Sequence, residues 1–366
     1  MKILHVVGSR SGFFRISPVF RALTAAGADR QVIVYAGHRD ELVPHDMFLE
    51  ELELPSPDYV LGVSTGTSAC QTGRSLIALE PIVLREAPDW IFAVGDVDAA
   101  LAAALVGRKN GVPLAHLEAG LRAGDRLSPV EINRLLADRL SDVLFTAERE
   151  TSEHLISESI EADRVHFVGN TVADTVSRLR ERSSALELPA VLGLEEGSYI
   201  VALLQRSSGP RRPGQLEDFL EALDEVALET GRSTVLLLDS AGAADVREQR
   251  LEHLLAPLTV VHSTSYVELL ALVEGAGAVV TNAREVQDCA TVLGVPSVAV
   301  GDLVVGRAAI FKRGNHVSVD ELDRLPEVVI RALTDRPAPP HPELWDGQAA
   351  QRIAEITMAT LPMAIA

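Results

Sequence analysis

Cysteine, lysine and long apolar runs are scarce in this 366-residue sequence. Its two cysteines, Cys70 and Cys289, do not make a disulfide framework or a thiolate metal site. The most alanine-rich run, residues 99–107, is far too short to span a membrane. The first residues, MKILHVVGSR, carry no signal-peptide pattern. We therefore expect a cytoplasmic protein.

Basic residues are also few relative to acidic ones. The 33 Lys and Arg residues face 52 Asp and Glu residues, so the formal net charge is −19. Such a surface repels nucleic acids and anionic membranes, and we expect neither as a partner. A small anionic ligand would instead need a local cluster of arginines. The hydrophobic fraction of 47% is that of an ordinary globular protein.

Short β-branched runs alternate with amphipathic stretches through both halves of the sequence. Buried parallel strands are predicted at 2–7, 31–36, 90–95, 112–117, 142–146 and 164–169, and again at 199–204, 233–239, 258–263, 276–282 and 296–301. This repeated βαβ pattern predicts an α/β fold with two Rossmann-like, doubly wound domains. A ligand would bind in an interdomain cleft, at the carboxyl ends of the two sheets.

The length also suggests two domains, at roughly 150 residues each. We place the N-terminal domain at residues 1–180 and the C-terminal domain at 190–346. The polar stretch 178–198, with its proline and two glycines, is predicted to connect them. A C-terminal helix at about 347–366 is expected to pack back on the N-terminal domain.

A glycine turn with two arginines, Arg10 and Arg15, follows the first predicted strand. A glycine turn that opens a helix offers free backbone N–H groups and the positive end of the helix dipole to an anion. Phosphate or diphosphate binding is one interpretation, and a solvated turn is the other. The dinucleotide fingerprint and the P-loop pattern are both absent from the sequence.

Two further strand ends carry polar side chains. His38 follows the second predicted strand, although a lone histidine is more often structural. Asp96 lies where another strand opens into a helix. It either caps that helix or brings a carboxylate to the cleft.

Both signs of charge are concentrated in HLEAGLRAGDRLSPVEINR, residues 116–134. This stretch is either a surface salt-bridge loop or the place where an anionic substrate meets acid/base chemistry. Ser128 and Glu131 have the spacing of a capping box, which gives Glu131 a structural explanation.

Three other charged residues of this stretch have no structural explanation of comparable strength: Glu118, Arg122 and Arg134. Carboxylates that converge with arginines on one cleft suit proton transfer on an anionic substrate. The sequence therefore favours a site at this edge of the first sheet.

Several strings, in order along most of the chain, resemble the non-hydrolysing UDP-N-acetylglucosamine 2-epimerase family: VVGSR, GD at 95–96, HLEAGLRAGD followed by INR, and GNTVAD at 169–174. The resemblance implies a glycosyltransferase-B-like fold, a nucleotide-binding C-terminal domain, a homodimer and no cofactor. It also implies inversion at C2 of UDP-GlcNAc. UDP is eliminated to give a 2-acetamidoglucal and is then added back, with a proton returning to C2 on the other face.

The resemblance assigns roles to individual residues. Asp96 and Glu118 match carboxylates that move the C2 proton, and Glu131 matches the second glutamate of the family motif P-E-E-x-N-R. The candidate site comprises the catalytic residues Asp96, Glu118 and Glu131, the ligand-binding residues Arg10, Arg15, His38, Arg122, Arg134, Gln205, Arg206 and Asn282, and no metal.

The sequence departs from the family at several of these motifs. The first glutamate of P-E-E-x-N-R is Val130, and the histidine of G-H-R-R-E is Gln205, which cannot exchange a proton near neutral pH. Residues 283–285 replace a Ser-Gly-Gly turn that would approach the diphosphate. Loss of one acid/base group typically costs about 10²–10⁴ in rate.

Three functions follow from this pattern. The first is a diverged epimerase acting on UDP-GlcNAc or a relative, in amino-sugar or aminoglycoside-type antibiotic biosynthesis. The second is a catalytically silent paralogue that binds a sugar or partners an active enzyme. The third is a glycosyltransferase of the same fold. The HLEAGLRAGD string disfavours it, because this string is specific to the epimerases.

Overall fold

The computed structural model describes residues 1–38, 46–204, 214–262, 265–301, 316–317, 319–334 and 342–360. The chain divides into two compact units, Met1–Ser177 with Pro342–Ala366, and Arg178–His341. Each unit is built on its own parallel sheet. The predicted α/β fold class is confirmed.

The sheet of the first unit has seven strands among the described residues: β1 Lys2–Val7, β2 Arg30–Tyr35, β3 Tyr59–Val60, β4 Trp90–Val94, β5 Leu114–Leu117, β6 Val143–Thr146 and β7 Val165–Phe167. Their order is β3-β2-β1-β4-β5-β6-β7, and all neighbours pair in parallel. The sequence missed β3, because two residues are too few for a hydrophobic pattern.

The sheet of the second unit contains β8 Tyr199–Leu203, β9 Ser233–Leu237, β10 Thr259–Val261, β11 Ala278–Thr281, β12 Ser297–Val300 and β13 His316–Val317. Their order is β10-β9-β8-β11-β12-β13, again parallel throughout. All five strands predicted for this half are present. The two-residue β13 was missed for the same reason as β3.

The helices, in chain order, are α1 Arg10–Ala25, α2 Asp46–Glu51, α3 Ser68–Glu86, α4 Asp98–Lys109, α5 Pro129–Leu140, α6 Arg149–Ser157, α7 Thr171–Ser184, α8 Leu188–Val191, α9 Gln215–Thr230, α10 Ser240–Glu248, α11 Tyr266–Glu274, α12 Arg284–Leu293, α13 Leu325–Thr334 and α14 Ala349–Ala359. Helix α7 runs across the division between the units, so the polar stretch after residue 178 begins as helix. Within the described ranges, no helix has the length and apolarity needed to cross a membrane.

Helix α4 lies in contact with both α3 and α5 and forms the centre of one helical layer of the first unit. Its run of alanines, residues 99–104 except Leu101, is buried almost completely. Small side chains let a helix approach its neighbours closely. A Cβ added at Gly107 would lie 3.2 Å from Cδ1 of Ile91 on β4. Burial of this apolar surface stabilises the helical layer that packs against the first sheet.

The C-terminal segment belongs to the first unit. The indole N–H of Trp345 donates to the carbonyl of Ala147 at 3.0 Å. The Asp174 carboxylate accepts the backbone N–H groups of Ala349 and Ala350 at 3.2 and 2.9 Å. These two N–H groups have no partner within the first turn of α14, so the Asp174 carboxylate satisfies two hydrogen-bond donors at the beginning of that helix.

Candidate active site

The strand order of the first sheet reverses between β1 and β4, and doubly wound sheets bind ligands at the carboxyl ends of such strands. Arg10 begins α1 shortly after β1, and Asp96 follows β4. The turns pack closely, since a Cβ added at Gly8 would lie 2.2 Å from Val97 Cγ2. Gly95 has φ +69°, which favours glycine. Glycine is therefore what lets the two turns meet.

Asp96 is bound by Arg134 of α5. The Nε of Arg134 donates to Oδ2 of Asp96 at 3.1 Å, and its Nη2 donates to the same oxygen. The Arg134 side chain is 5% exposed, and that of Asp96 is 16% exposed. Asp96 therefore presents a partly open carboxylate that a buried guanidinium holds in place.

Glu118 forms the second acid–arginine pair. Its Oε2 lies 2.7 Å from Nε of Arg15, and both side chains are buried. Arg15 is fixed in turn by a hydrogen bond from Nη1 to the carbonyl of Ser11 at 2.9 Å. Glu118 has φ +62°, a left-handed conformation that costs a non-glycine residue about 1 kcal/mol or more. Such strain is concentrated at functional sites, where the surrounding structure maintains it.

The two pairs meet at Gly95. A Cβ placed on Gly95 would lie 4.0 Å from Oε2 of Glu118, and Asp96 is the next residue. The corner thus combines carboxylates that can accept a proton with guanidinium groups that can hold an anion. A bound diphosphate would compete with Asp96 and Glu118 for the same arginines.

Glu131 supports the site loop from beneath. Its two carboxylate oxygens accept the backbone N–H groups of Ala123 and Gly124 at 2.9 and 3.2 Å. Ser128 occupies the N-cap position of α5, but its side chain forms no capping hydrogen bond among the described residues. The predicted capping box is therefore wrong. Glu131 holds the loop after β5 and also contacts Arg134 at 3.3 Å.

Asp96 is also not a helix cap, so that alternative interpretation is wrong. The N-cap of α4 is Val97, and the helix begins at Asp98. Asp98 takes the local structural role, since its Oδ1 accepts hydrogen bonds from the hydroxyls of Ser68 and Thr72 at 2.6 and 2.8 Å. The carboxylate of Asp96 binds Arg134 instead of capping the helix.

Arg122 was predicted to bind ligand, but this chain occupies all three of its nitrogens. Nε and Nη2 bind the Glu158 carboxylate at 2.7 and 2.6 Å, and Nη1 binds Asp138 at 2.8 Å. Burial opposes the charge, but these carboxylates raise the pKa of Arg122 above its usual value. We assign Arg122 to holding the loop in place.

Sequence reasoning missed Asp138, although a signal for it existed. Glu131, Arg134 and Asp138 recur at i, i+3 and i+7 on α5, and all three are buried. Charged residues at helical spacing usually mark an exposed face. Their burial beside a glycine loop shows instead that α5 turns this face toward the site.

Arg10 and His38 lie at the carboxyl ends of β1 and β2. The Arg10 guanidinium carbon sits 4.6 Å from the centre of the Phe48 ring, a cation–π arrangement. His38 is half-buried beside Gly62, where a Cβ would lie 3.5 Å from its Nδ1. Their roles toward a ligand stay predictions.

The second unit contributes one described candidate, Asn282, which is half-buried between β11 and α12. Its sheet also reverses order, between β8 and β11, so Asn282 lies at the corresponding point. Gln205 and Arg206 lie outside the described residues. Across the described ranges, no group of three or more His, Cys, Asp or Glu side chains could hold a metal ion.

A sequence profile of UDP-N-acetylglucosamine 2-epimerases matches residues 21–358. The chain is a member of the UDP-N-acetylglucosamine 2-epimerase family. The predicted family is confirmed, and the match covers Asp96, Glu118 and Arg134 of the two acid–arginine pairs.

Two curated relatives illustrate the breadth of this family. The chain is 32% identical over 305 residues to UDP-2,3-diacetamido-2,3-dideoxy-D-glucuronate 2-epimerase of Pseudomonas aeruginosa, covering 82% of this chain and 84% of that protein. It is 29% identical over 362 residues to UDP-N-acetylglucosamine 2-epimerase of Methanocaldococcus jannaschii, covering 97% of this chain and 98% of that protein.

A solved structure agrees with this family membership. The crystal structure of the M. jannaschii epimerase in complex with UDP-GlcNAc and UDP superposes with a TM-score of 0.86 at 28% identity. The match covers 98% of this chain and all of that one. The epimerase family therefore accounts for the fold of both units.

Proposed function

We propose that this epimerase-family chain interconverts UDP-GlcNAc and UDP-ManNAc. The observation that carries the proposal is the corner at Gly95, where Asp96 is bound by Arg134 and Glu118 by Arg15. A carboxylate takes the C2 proton as the C1–O bond to UDP breaks and the C1–C2 double bond forms. Return of the proton to the other face, with UDP re-adding at C1, completes the inversion.

Asp96 and Glu118 carry the proton transfers in this proposal. Val130 offers no acid/base group, and Glu131 is engaged by two loop amides. Arg15 and Arg134 stabilise the departing diphosphate by charge-assisted hydrogen bonds. The carboxylates that now pair with these arginines are released as UDP binds, which couples anion binding to the freedom of the bases.

The test is NMR of the protein with UDP-GlcNAc in deuterated buffer. Deuterium at C2 together with ManNAc signals would support epimerisation. UDP release without deuterium at C2 would contradict it and favour the glycosyltransferase alternative. Absence of both exchange and UDP binding, measured by calorimetry, would also overturn it.

The silent paralogue remains the second candidate, and Val130 with Gln205 favours it. The double variant V130E/Q205H separates the two. If the chain is silent only because acid/base groups are missing, the variant gains C2 exchange that the parent lacks. If the parent already exchanges C2 deuterium, the silent paralogue is excluded.

The substrate class is proposed to be a UDP-linked 2-acetamido sugar, in amino-sugar or aminoglycoside-type antibiotic biosynthesis. The relatives named above act on UDP-GlcNAc and on a diacetamido-glucuronate. Comparing kcat/KM for these two UDP-sugars decides between them. A preference for the uronate would contradict UDP-GlcNAc as the substrate. The cytoplasmic location stays a prediction.

We further propose a homodimer, for which an apolar surface on the first unit gives support. Ile77 and Leu84 on α3 are 79% and 63% exposed, and Ile132 and Leu136 on α5 are 41% and 45% exposed. Exposed apolar side chains at helical spacing are typical of protein interfaces. The variant I77E/L84E is expected to sediment as a monomer while the parent sediments as a dimer. A monomeric parent would contradict the proposal.

A further inference from the structure

A buried histidine lies directly beneath the acid–arginine corner. Nδ1 of His116 is 2.7 Å from Oδ1 of Asp138, and Nε2 is 2.8 Å from the carbonyl oxygen of Gly95. Both side chains of the pair are 1% exposed. A carbonyl oxygen can only accept, so Nε2 of His116 carries a proton.

The state of Nδ1 follows from the other oxygen of Asp138. Oδ2 accepts hydrogen bonds from the backbone N–H of Gly120 at 3.1 Å and from Nη1 of Arg122 at 2.8 Å. These donors, one of them a guanidinium, favour the ionised carboxylate. An ionised Asp138 accepts from Nδ1 as well, so both ring nitrogens donate and the ring is an imidazolium.

The pKa shifts of the two residues are opposite, and both favour the charged pair. Burial opposes the charge on His116, but the hydrogen bond and the attraction of Asp138 outweigh it and raise its pKa above the usual value. Burial likewise opposes the charge on Asp138, but His116 and Arg122 lower its pKa below the usual range. The negative charge of Asp96 adds to the shift of His116.

The pair connects the two loops that carry the site carboxylates. Gly95, whose carbonyl His116 binds, immediately precedes Asp96. Gly120, whose N–H Asp138 binds, comes two residues after Glu118. One buried ion pair therefore fixes the turn after β4 relative to the loop after β5.

We propose that His116 is a positioning residue: a permanently protonated imidazolium that, with Asp138, fixes the Gly95 carbonyl and so aims Asp96 at the reacting carbon beside Glu118. This inference rests on the proposed epimerase function. Misplacement of a catalytic group by about 1 Å costs roughly 10²-fold in rate. Loss of the His116 bond to Gly95 thus lowers kcat and leaves the binding of UDP unchanged.

The first measurement is the protonation of His116 by NMR of the wild-type chain labelled with ¹⁵N-histidine. Both ring nitrogens of His116 are expected to keep their protons across pH 6 to 8, where an ordinary histidine loses one near pH 6.5. Asp138 and Asp96 are the charged groups that act on it, and Arg122 binds Asp138. A His116 ring that loses its proton in this range would overturn the proposal, whatever the activity of the chain.

The second measurement compares the variants H116Q and H166Q by C2 exchange and UDP calorimetry. His166 on β7 is a half-buried control whose ring packs on Phe145. H116Q is expected to lose about 10² in kcat with unchanged KM and UDP affinity, and H166Q to match wild type. If H116Q does not fold, D138N removes the charge of the partner at constant size. It is likewise expected to lower kcat and to leave KM and UDP affinity unchanged.

The outcomes separate this inference from the proposed function. A wild-type chain without epimerase activity contradicts the proposed function. An active wild type with a fully active H116Q contradicts the positioning role alone. A rise in KM with unchanged kcat would place His116 in ligand binding and overturn the role proposed here.

Discussion

Arg134 binds one oxygen of Asp96 through two of its nitrogens, although 38 residues separate them in the chain. Arg134 also contacts Glu131, whose side chain is 3% exposed. Removal of the guanidinium thus takes a positive charge away from one buried and one partly buried carboxylate. The pair is both a candidate ligand site and a structural bond between α5 and the turn after β4.

The stability effect of Arg134 follows from this burial. R134M is expected to lower the free energy of unfolding by about 3 kcal/mol, because uncompensated buried charge is costly. R139M, on the exposed side of α5, where Arg139 donates to the carbonyl of Ser159, is expected to change it by less than about 0.5 kcal/mol. Urea unfolding followed by circular dichroism measures both. Equal losses in the two variants would show that the Arg134 contacts contribute nothing.

Glu118 is expected to carry proton transfer, and its amide variant tests that role. E118Q is expected to reduce C2 deuterium exchange by about 10²–10⁴ while UDP still binds. E86Q is a matched control, since Glu86 is also a buried carboxylate with basic partners, Lys2 and Arg30. It lies near the beginning of β1, opposite the site end. A fall in exchange for E86Q but not E118Q would contradict the assigned role.

Gly120 is required by the loop after β5 on two grounds. Its φ is +82°, and a Cβ would lie 2.3 Å from the carbonyl oxygen of Thr151. Gly124 has a similar φ of +79° but nothing within 4 Å of an added Cβ. We expect G120A to destabilise the fold by about 2 kcal/mol more than G124A, which reports the cost of φ alone. Similar unfolding midpoints would show that the loop relaxes around the methyl group.

Asp174 gives the fold a defined pH dependence. Burial raises its pKa to about 6, despite the two N–H groups it accepts from α14. The folded chain therefore takes up this proton at a higher pH than the unfolded chain. The stability that the protonated Asp174 contributes is fully present below the pKa of this group in the unfolded chain. It is lost as pH rises through 6. From pH 7 to 5, wild type is expected to gain about 1 kcal/mol relative to D174N. Parallel stability curves for the two proteins would contradict the raised pKa.

The strands were predictable because both faces of a parallel sheet are buried, so their apolar runs are continuous. The contacts of the site were not predictable in the same way. Glu131 has the spacing of a capping box, yet its carboxylate reaches Ala123 and Gly124, because the chain turns back over α5. A local motif could not reveal this alternative partner.

The pairing of His116 with Asp138 was likewise not predictable from a local motif. The two residues are 22 positions apart, on a strand and a helix, and only the packing of α5 brings them together. The resemblance to the family only predicts which residues face a ligand. It assigned no role to His116 and Asp138, which hold the loops that carry those residues.

The return of the C-terminal segment to the first unit has a consequence for synthesis. Asp174 and Ala147 receive their partners, the beginning of α14 and the Trp345 indole, only from the last part of the chain. Residues 178–341, by contrast, form one uninterrupted unit. Domains usually fold in the order in which the ribosome makes them. Here the first unit can be completed only after the whole second unit has emerged.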